Sequence, residues 1–184
     1  TPRFLSADFK GWLLYFAPEH YLRVFLDRVP GLQVVNTDFD VERTLYGEGR
    51  RLVSDMEHLP LADNSIHGIV CLHVLEHVPS DVNGIRELHR VLAEGGEAVI
   101  MVPFMMGQSE TEEYGRPIPD WFDHVRGYSP LDFKERLAAF HLEEVYPGDF
   151  LSPEEVTRYH IPDSQVIYHC RRAPTEKHLS TSPL

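Results

Sequence analysis

His73-Val74-Leu75-Glu76-His77 is an H-x-x-E-H sequence. On a helix, that spacing sets two imidazoles one turn apart beside a carboxylate, the arrangement in which zinc is held and Glu activates a water. The chemistry needs all five residues on a helix. Here a β-branched run leads into them and Pro79 follows, so the pattern predicts a short turn, and no third ligand at a helpful spacing stands out. The competing reading makes Glu76 and His77 a hydrogen-bonded pair capping the next helix. Downstream, Asp123-His124-Val125-Arg126-Gly127-Tyr128 places an Asp, a His, an Arg and a Tyr within six residues, just behind Trp121-Phe122. Such polar density beside apolar anchors suits an acceptor site, with His124 as a base or orienting group. It suits a purely structural role equally, with Asp123 and Arg126 paired to pin the loop and His124 capping a helix that begins near Pro130. Trp121 and Phe122 read as buried lid anchors or as an acceptor platform.

Carboxylates at the ends of apolar runs offer a second chemistry. Asp38 closes a run through Leu32-Gln33-Val34-Val35, a place where an acidic residue commonly binds both hydroxyls of a ribose. Its alternative is a solvated turn carboxylate. Asp55 follows Arg51-Leu52-Val53-Ser54 and precedes Leu59-Pro60-Leu61, a pattern that suits an adenine held between an acceptor and apolar side chains; taken alone, Asp55 is a loop residue. The turn Phe16-Ala17-Pro18-Glu19 has none of the glycines that let backbone approach a nucleotide.

These residues need a scaffold, and the chain predicts one by alternation. Gly11–Ala17 reads as a strand, a tight turn at Pro18 follows, and Leu22, Phe25 and Val29 then fall on one helical face. Leu32–Val35, Arg51–Asp55 and Ile66–Leu72 read as further strands. Pro79–Leu92 has apolar residues at 82, 85, 88 and 92, a helical period stopped by Gly95-Gly96. Ala98–Val102 is continuously apolar, as a strand buried on both faces is. Pro103–Tyr128 breaks the rhythm and reads as a long irregular lid or substrate loop. Ser129-Pro130 opens a helix to about Phe140, and Leu142–Tyr146 and Gln165–Cys170 close the sheet, the latter as an antiparallel edge. Met101, Met105 and Met106 should pack the exit of the fifth strand, and Cys71 should be a small core residue. The expectation is a Rossmann-like α/β domain with a mostly parallel sheet of about seven strands, helices on both faces, and a ligand at the carboxyl ends of the strands. Residues 1–172 form that domain and 173–184 a tail.

Composition narrows the function. The chain has 184 residues, 42% of them hydrophobic and 25% charged, the balance of one globular domain. With 17 Lys and Arg against 29 Asp and Glu, the net charge of −12 argues against a nucleic-acid surface. No apolar run reaches the ~20 residues of a membrane helix, and Thr1-Pro2-Arg3-Phe4 shows no secretory signal, so no membrane partner is expected. Cys71 and Cys170 make no disulfide framework, which suits a reducing cytoplasm.

The segment Leu59-Pro60-Leu61-Ala62-Asp63-Asn64-Ser65-Ile66-His67-Gly68-Ile69-Val70-Cys71-Leu72-His73-Val74-Leu75-Glu76-His77-Val78, with Arg86-Glu87-Leu88-His89-Arg90-Val91-Leu92-Ala93-Glu94-Gly95-Gly96, resembles class I S-adenosylmethionine-dependent methyltransferases. That family reads LPF-x-D-x-S-F-D, a strand, LEHV, and a helix E-L-x-R-V-L-K-P-G-G. Ile66-His67 stand here for Phe-Asp, and Ala93-Glu94 for Lys-Pro. Asp123–Tyr128 is similar to the D-H-V-R-x-Y segment of a small type 11-like subgroup, and Tyr15-Phe16-Ala17-Pro18-Glu19 to that subgroup's glycine-poor H-F-A-P-E turn. The resemblance runs over roughly residues 12 to 170.

The resemblance implies S-adenosylmethionine as cofactor. Phe16, Ala17 and Glu19 would border its methionine end, Asp38 would take the ribose hydroxyls, Asp55 and Met56 would face the adenine, and Leu72 and His73 would line the sulfonium. Methyl transfer is an in-line displacement, so positioning supplies much of the catalysis. A base is needed only for a hydroxyl or a protonated amine; His73, His77, Asp123, His124 and Tyr128 are the polar candidates, His124 and His73 foremost. The implied protein is a cytoplasmic methyltransferase acting on a small molecule or glycan precursor. The alternative, prompted by the glycine-free turn and a short N-terminal region, is a cofactor-binding or scaffold domain without catalysis.

Overall fold

The computed structural model describes residues 9–45, 49–162 and 165–174. Its seven-stranded sheet has the order β3-β2-β1-β4-β5-β9-β8, with a separate two-stranded ribbon, β6-β7. Strands Gly11–Phe16 (β1), Leu32–Asp38 (β2), Arg50–Val53 (β3), Ile66–Leu72 (β4) and Leu92–Met101 (β5) run parallel to one another. His141–Val145 (β8) and Ile167–Arg171 (β9) complete the sheet, with β9 antiparallel to both β5 and β8. The expected seven strands are therefore present, but β9 lies inside the sheet and β8 takes the edge. The chain steps outward one way through β2 and β3, then the other way through β4 and β5, so β1 and β4 flank the switch point.

The alternation of side chains along β1 makes two cores. Leu13 and Tyr15 face one side, where Val34, Val70 and Leu26 join them with Leu22 packed alongside. Leu22 and Leu26 belong to helix α1, His20–Leu26. Leu14 and Phe16 face the other side, into a larger core with Ile69, Cys71, Ala98, Ile100 and Cys170. Helix α3, Asp81–Val91, supplies Ile85, Leu88 and Val91 to that face, and helix α4, Phe133–Arg136, supplies Phe133. Helices thus cover both faces, as the pattern predicts, and Cys71 is a buried free thiol in the core. Short helices α2, Val41–Leu45, and α5, Pro153–Arg158, fill connections; Asp40 starts the first by accepting the Glu42 amide at 2.8 Å.

Helix α3 begins two residues later than expected, and its N-cap is Ser80, whose Oγ accepts the Asn83 amide. The predicted capping by Glu76 and His77 is not what the chain uses. The helix also stops at Val91, before Gly95-Gly96, because Leu92 already turns into β5. A clasp fastens the 59–63 loop to α3: Arg90 donates to the Leu59 and Leu61 carbonyls at 3.0 and 2.8 Å, and Glu87 accepts the Leu59 amide at 2.8 Å.

The 103–128 segment departs most from expectation. It contains an antiparallel ribbon, Glu112–Ile118 (β6) with His124–Gly127 (β7), so much of it has ladder hydrogen bonds of its own. Phe122 and Asp123 both take left-handed backbone (φ 55° and 62°) to make the reversal. The helix expected over 129–140 shrinks to α4, and Met106 is exposed rather than packed. The tail from 175 lies outside the described residues. No helix among the described residues is long and apolar enough to cross a membrane.

Candidate functional site

The parallel register brings the carboxyl ends of four strands to one rim. Phe16 pairs with Thr37 and with Cys71, Asp38 with Val53, and Leu72 with Met101. The loops carrying Ala17–Glu19, Asp38, Asp55 and His73 therefore all leave the sheet on the same side, next to the switch point where such sheets bind ligands. A buried bond between Thr37 Oγ1 and Ser54 Oγ (2.6 Å) locks the ends of β2 and β3, fixing Asp38 relative to Asp55.

Each predicted contact at this rim has a definite geometry. Asp38 is half-buried, and its Oδ1 accepts the Asp40 amide at 2.9 Å while Oδ2 makes no bond among the described residues, which leaves that oxygen to a diol. Asp55 is exposed; its Oδ1 accepts the Glu57 amide, and its Oδ2 lies 3.3 Å from His58 Nδ1. Ala17 adopts φ 43°, a conformation a glycine takes at no cost, and spends its amide on the Thr37 carbonyl at 2.8 Å. The Glu19 amide is used by the Tyr15 hydroxyl at 3.0 Å, and Pro18 has none. The turn therefore offers no backbone cradle for phosphate; what it presents is the exposed Glu19 carboxylate, suited to an ammonium group.

The resemblance puts Phe16 and Met56 against the cofactor, and the structure buries both side chains. Both side chains are in the core, Met56 lying under Gly84 of α3, where an added Cβ would meet its Sδ at 3.1 Å. Either can offer a ligand main chain only. Leu72 is half-buried against the α1 face. His73 follows it with left-handed backbone (φ 54°), its amide donated to the Met101 carbonyl at 2.9 Å.

A second polar assembly begins with His73. Its Nδ1 lies 3.5 Å from Glu76 Oε1, and that contact holds the imidazole's pKa above its usual value against the opposing effect of burial. Glu76 is 1% exposed, and its Oε2 is buried without a hydrogen-bond partner. Leu75–His77 is a single 3-10 turn, so the H-x-x-E-H residues are not on an α-helix, as expected. The third group comes from elsewhere in the chain. His124, at the start of β7, packs edge-on against His77 with ring centroids 4.9 Å apart. Partial burial lowers the His124 pKa, aided by His77 and His73 and opposed by Glu76.

The remaining residues of the 123–128 segment are structural. Arg126 is 2% exposed and donates to the Leu75, Val78 and Pro79 carbonyls at 2.7, 2.6 and 2.8 Å. It also bonds Glu113 at 2.9 Å and sits 3.8 Å from Asp81. The expected Asp123–Arg126 pair does not form; Asp123 is exposed in the hairpin turn. Tyr128 is fully buried and donates to Asp81, so it leaves the list of groups a ligand could reach. His124 caps no helix. Phe122 is 83% exposed and Trp121 40%, which removes the buried-anchor reading and leaves the platform one. The Glu76 burial and the Arg126 clamp were invisible in the sequence, since nothing local distinguishes them from solvated charges.

Residues 18–100 match the family model described as a methyltransferase domain. An uncharacterized protein of Methanocaldococcus jannaschii, MJ0638, is 32% identical over 53 residues, which are 29% of this chain and 23% of that protein, so the chain covers under a quarter of its length. Among solved structures, geranyl diphosphate C-methyltransferase from Streptomyces coelicolor, with Mg2+, geranyl diphosphate and S-adenosyl-L-homocysteine, superposes with a TM-score of 0.66 at 14% identity, over 90% of this chain and 71% of that one. The [4+2]-cyclase SpnF superposes with a TM-score of 0.63 at 16% identity, over 90% and 76%. The fold is the class I methyltransferase fold.

Proposed function

We propose that the chain is an S-adenosylmethionine-dependent methyltransferase of the cytoplasm that acts on a small molecule or glycan precursor. The carrying observation is that the matched 18–100 span contributes Glu19, Asp38, Asp55 and His73 to a single rim at the switch point. The residues present fit that cofactor. The open oxygen of Asp38 suits the ribose diol, the Asp55 loop suits the adenine, the Glu19 carboxylate suits the methionine ammonium, and Phe16, Ala17, Met56 and Leu72 supply main chain and walls. Bound there, the cofactor brings a methyl on a sulfonium, open to in-line attack. The chain's own part is to hold both reactants in line and to keep water out. His73 and His124 stand at the acceptor side, His124 as the base or orienting group where the acceptor is a hydroxyl. Trp121 and Phe122 give that acceptor an apolar platform. The acidic surface disfavours polyanions, which supports a small acceptor over a nucleic acid.

A second reading, a binding domain without turnover, draws on the glycine-free turn with Ala17 in left-handed backbone. A cyclase on this fold shows that the fold alone does not fix the reaction. Calorimetric titration with S-adenosylhomocysteine decides the cofactor question. Micromolar binding that Asp38→Ala weakens by about tenfold or more supports the proposal, and no binding to the folded chain sinks it. Turnover on any small-molecule acceptor then removes the second reading.

A further inference from the structure

We propose that Glu76, His77 and His124 form a binding site for one first-row divalent cation of the Zn2+ or Co2+ type. The three come from two segments, the 3-10 turn after β4 and the start of β7, and one ligand atom of each lies within 4.8 Å of the others. Two imidazoles and a carboxylate are a donor set for such ions. With metal–ligand bonds of about 2.0–2.1 Å, tetrahedral geometry sets donors about 3.4 Å apart. Closing that gap takes small side-chain rotations among the three, of which His77 is exposed and His124 half-buried.

An independent observation points to a ligand. Glu76 is a carboxylate 1% exposed, and its Oε2 has no hydrogen-bond partner. A buried polar atom left unpaired is costly, and native structures rarely tolerate one without an unseen water or ion. Its other oxygen faces His73 Nδ1 at 3.5 Å, the kind of outer partner that orients a ligating carboxylate. Arg126 supplies rigidity: it sits two residues along β7 from His124 and ties β7 to the carbonyls of Leu75 and Val78, which bracket Glu76 and His77. The backbone segments that carry the donors are therefore held before any ion arrives, and the exposed side at His77 leaves coordination positions open. Resting on the methyl-transfer reading, the occupant of those positions is an oxygen of the acceptor, a hydroxyl, carboxylate or phosphate, and His124 then orients that oxygen through the ion instead of taking its proton. The cation site itself does not depend on that reading.

The competing account is a plain hydrogen bond from His77 or His124 to Glu76 after side-chain rotation, which takes up no metal. The full chain, stripped with chelator and dialysed, is titrated with Zn2+ by calorimetry and with Co2+ by visible absorption. One equivalent should bind, with the intensified absorption of a low-coordinate Co2+ site. His77→Ala and His124→Ala should each weaken binding by about tenfold or more, with circular dichroism unchanged, while His141→Ala on exposed β8 should leave it as it was. Absence of uptake, or uptake that survives both substitutions, overturns the site. S-adenosylhomocysteine titrated into the same stripped sample separates the two proposals. Nucleoside binding without metal uptake removes the cation and keeps the methyltransferase; metal uptake without nucleoside binding does the reverse.

Discussion

The rim at the ends of β1–β4 and the assembly around Arg126 are neighbours built on opposite principles. At the rim, Asp38 ends β2 and Asp55 sits on the loop after β3; each carboxylate accepts one main-chain amide, and Asp55 has the exposed His58 beside it. Around Arg126, the guanidinium, Asp81, Tyr128, Arg136 and Glu113 form one network, and five of its hydrogen bonds are 2.8 Å or shorter. A half-exposed carboxylate can be removed with little effect on folding and a large effect on a ligand. A buried charge whose partners remain is removed at high cost to folding. A charged side chain near the end of the sheet is therefore not a binding residue by position alone.

The comparison breaks most visibly at Arg126. Arg126→Ala should cost about 3–5 kcal/mol of stability, since Asp81 and Glu113 lose a partner and three carbonyls lose their donor. Denaturant unfolding measures it, and a loss under about 1 kcal/mol would show that the network is not what holds β7 to the 3-10 turn. Asp38→Ala is the opposite case. It should weaken S-adenosylhomocysteine binding by about 10- to 100-fold, the worth of a hydrogen bond to a charged group, while leaving unfolding within about 0.5 kcal/mol. Equal losses of stability and affinity in that variant would erase the distinction between the regions.

The rim was largely readable from sequence and the network was not, for a physical reason. Central parallel strands write themselves as apolar runs, and the residue that ends a run is local information, which is how Asp38 could be placed; Asp55 followed a weaker run on the exposed edge strand β3, and His73 was placed by the family resemblance. Side-chain direction past the strand end is not local: Met56 turned into the core because Gly84 of α3 leaves room there. The carbonyl partners of Arg126 lie 47 to 51 residues away in the chain, so its charge read as loop polarity. The ribbon was missed similarly, because β6 contains Gly115 and Pro117 and carries no apolar alternation to reveal it.

Phe122 sharpens the comparison on the acceptor side. Its ring is 83% exposed and lies 6.3 Å from that of His124, so it contributes little to folding. Phe122→Ala should shift the thermal midpoint by less than a degree or two, roughly the scale of a surface substitution, and raise KM for the acceptor with S-adenosylhomocysteine affinity unchanged. An unchanged KM would remove the platform role and leave Phe122 a hairpin residue.

The smallest expected effect tests whether the rim has a charged anchor of its own. Glu87 on α3 accepts the Leu59 amide and bonds Arg90, and together they fasten the loop that follows Asp55. The hydrogen bond from Arg90, chiefly, holds the Glu87 carboxyl below its ordinary value of 4.5. A carboxyl whose pKa is lower folded than unfolded binds its proton more tightly in the unfolded chain. Its contribution is therefore fully present above pH 4.5 and fades as pH falls below that value through the lower, folded one. Glu87→Gln keeps the shape and removes the titration, so the variant should be less stable than the parent at neutral pH and converge on it under acid. Arg90 also bonds Asp63 and two carbonyls, so it keeps partners in the variant and the neutral-pH loss should be only about 1 kcal/mol. Parallel stability curves for parent and variant across that acid range would show that the clasp is held by the carbonyl contacts alone, with the ion pair idle.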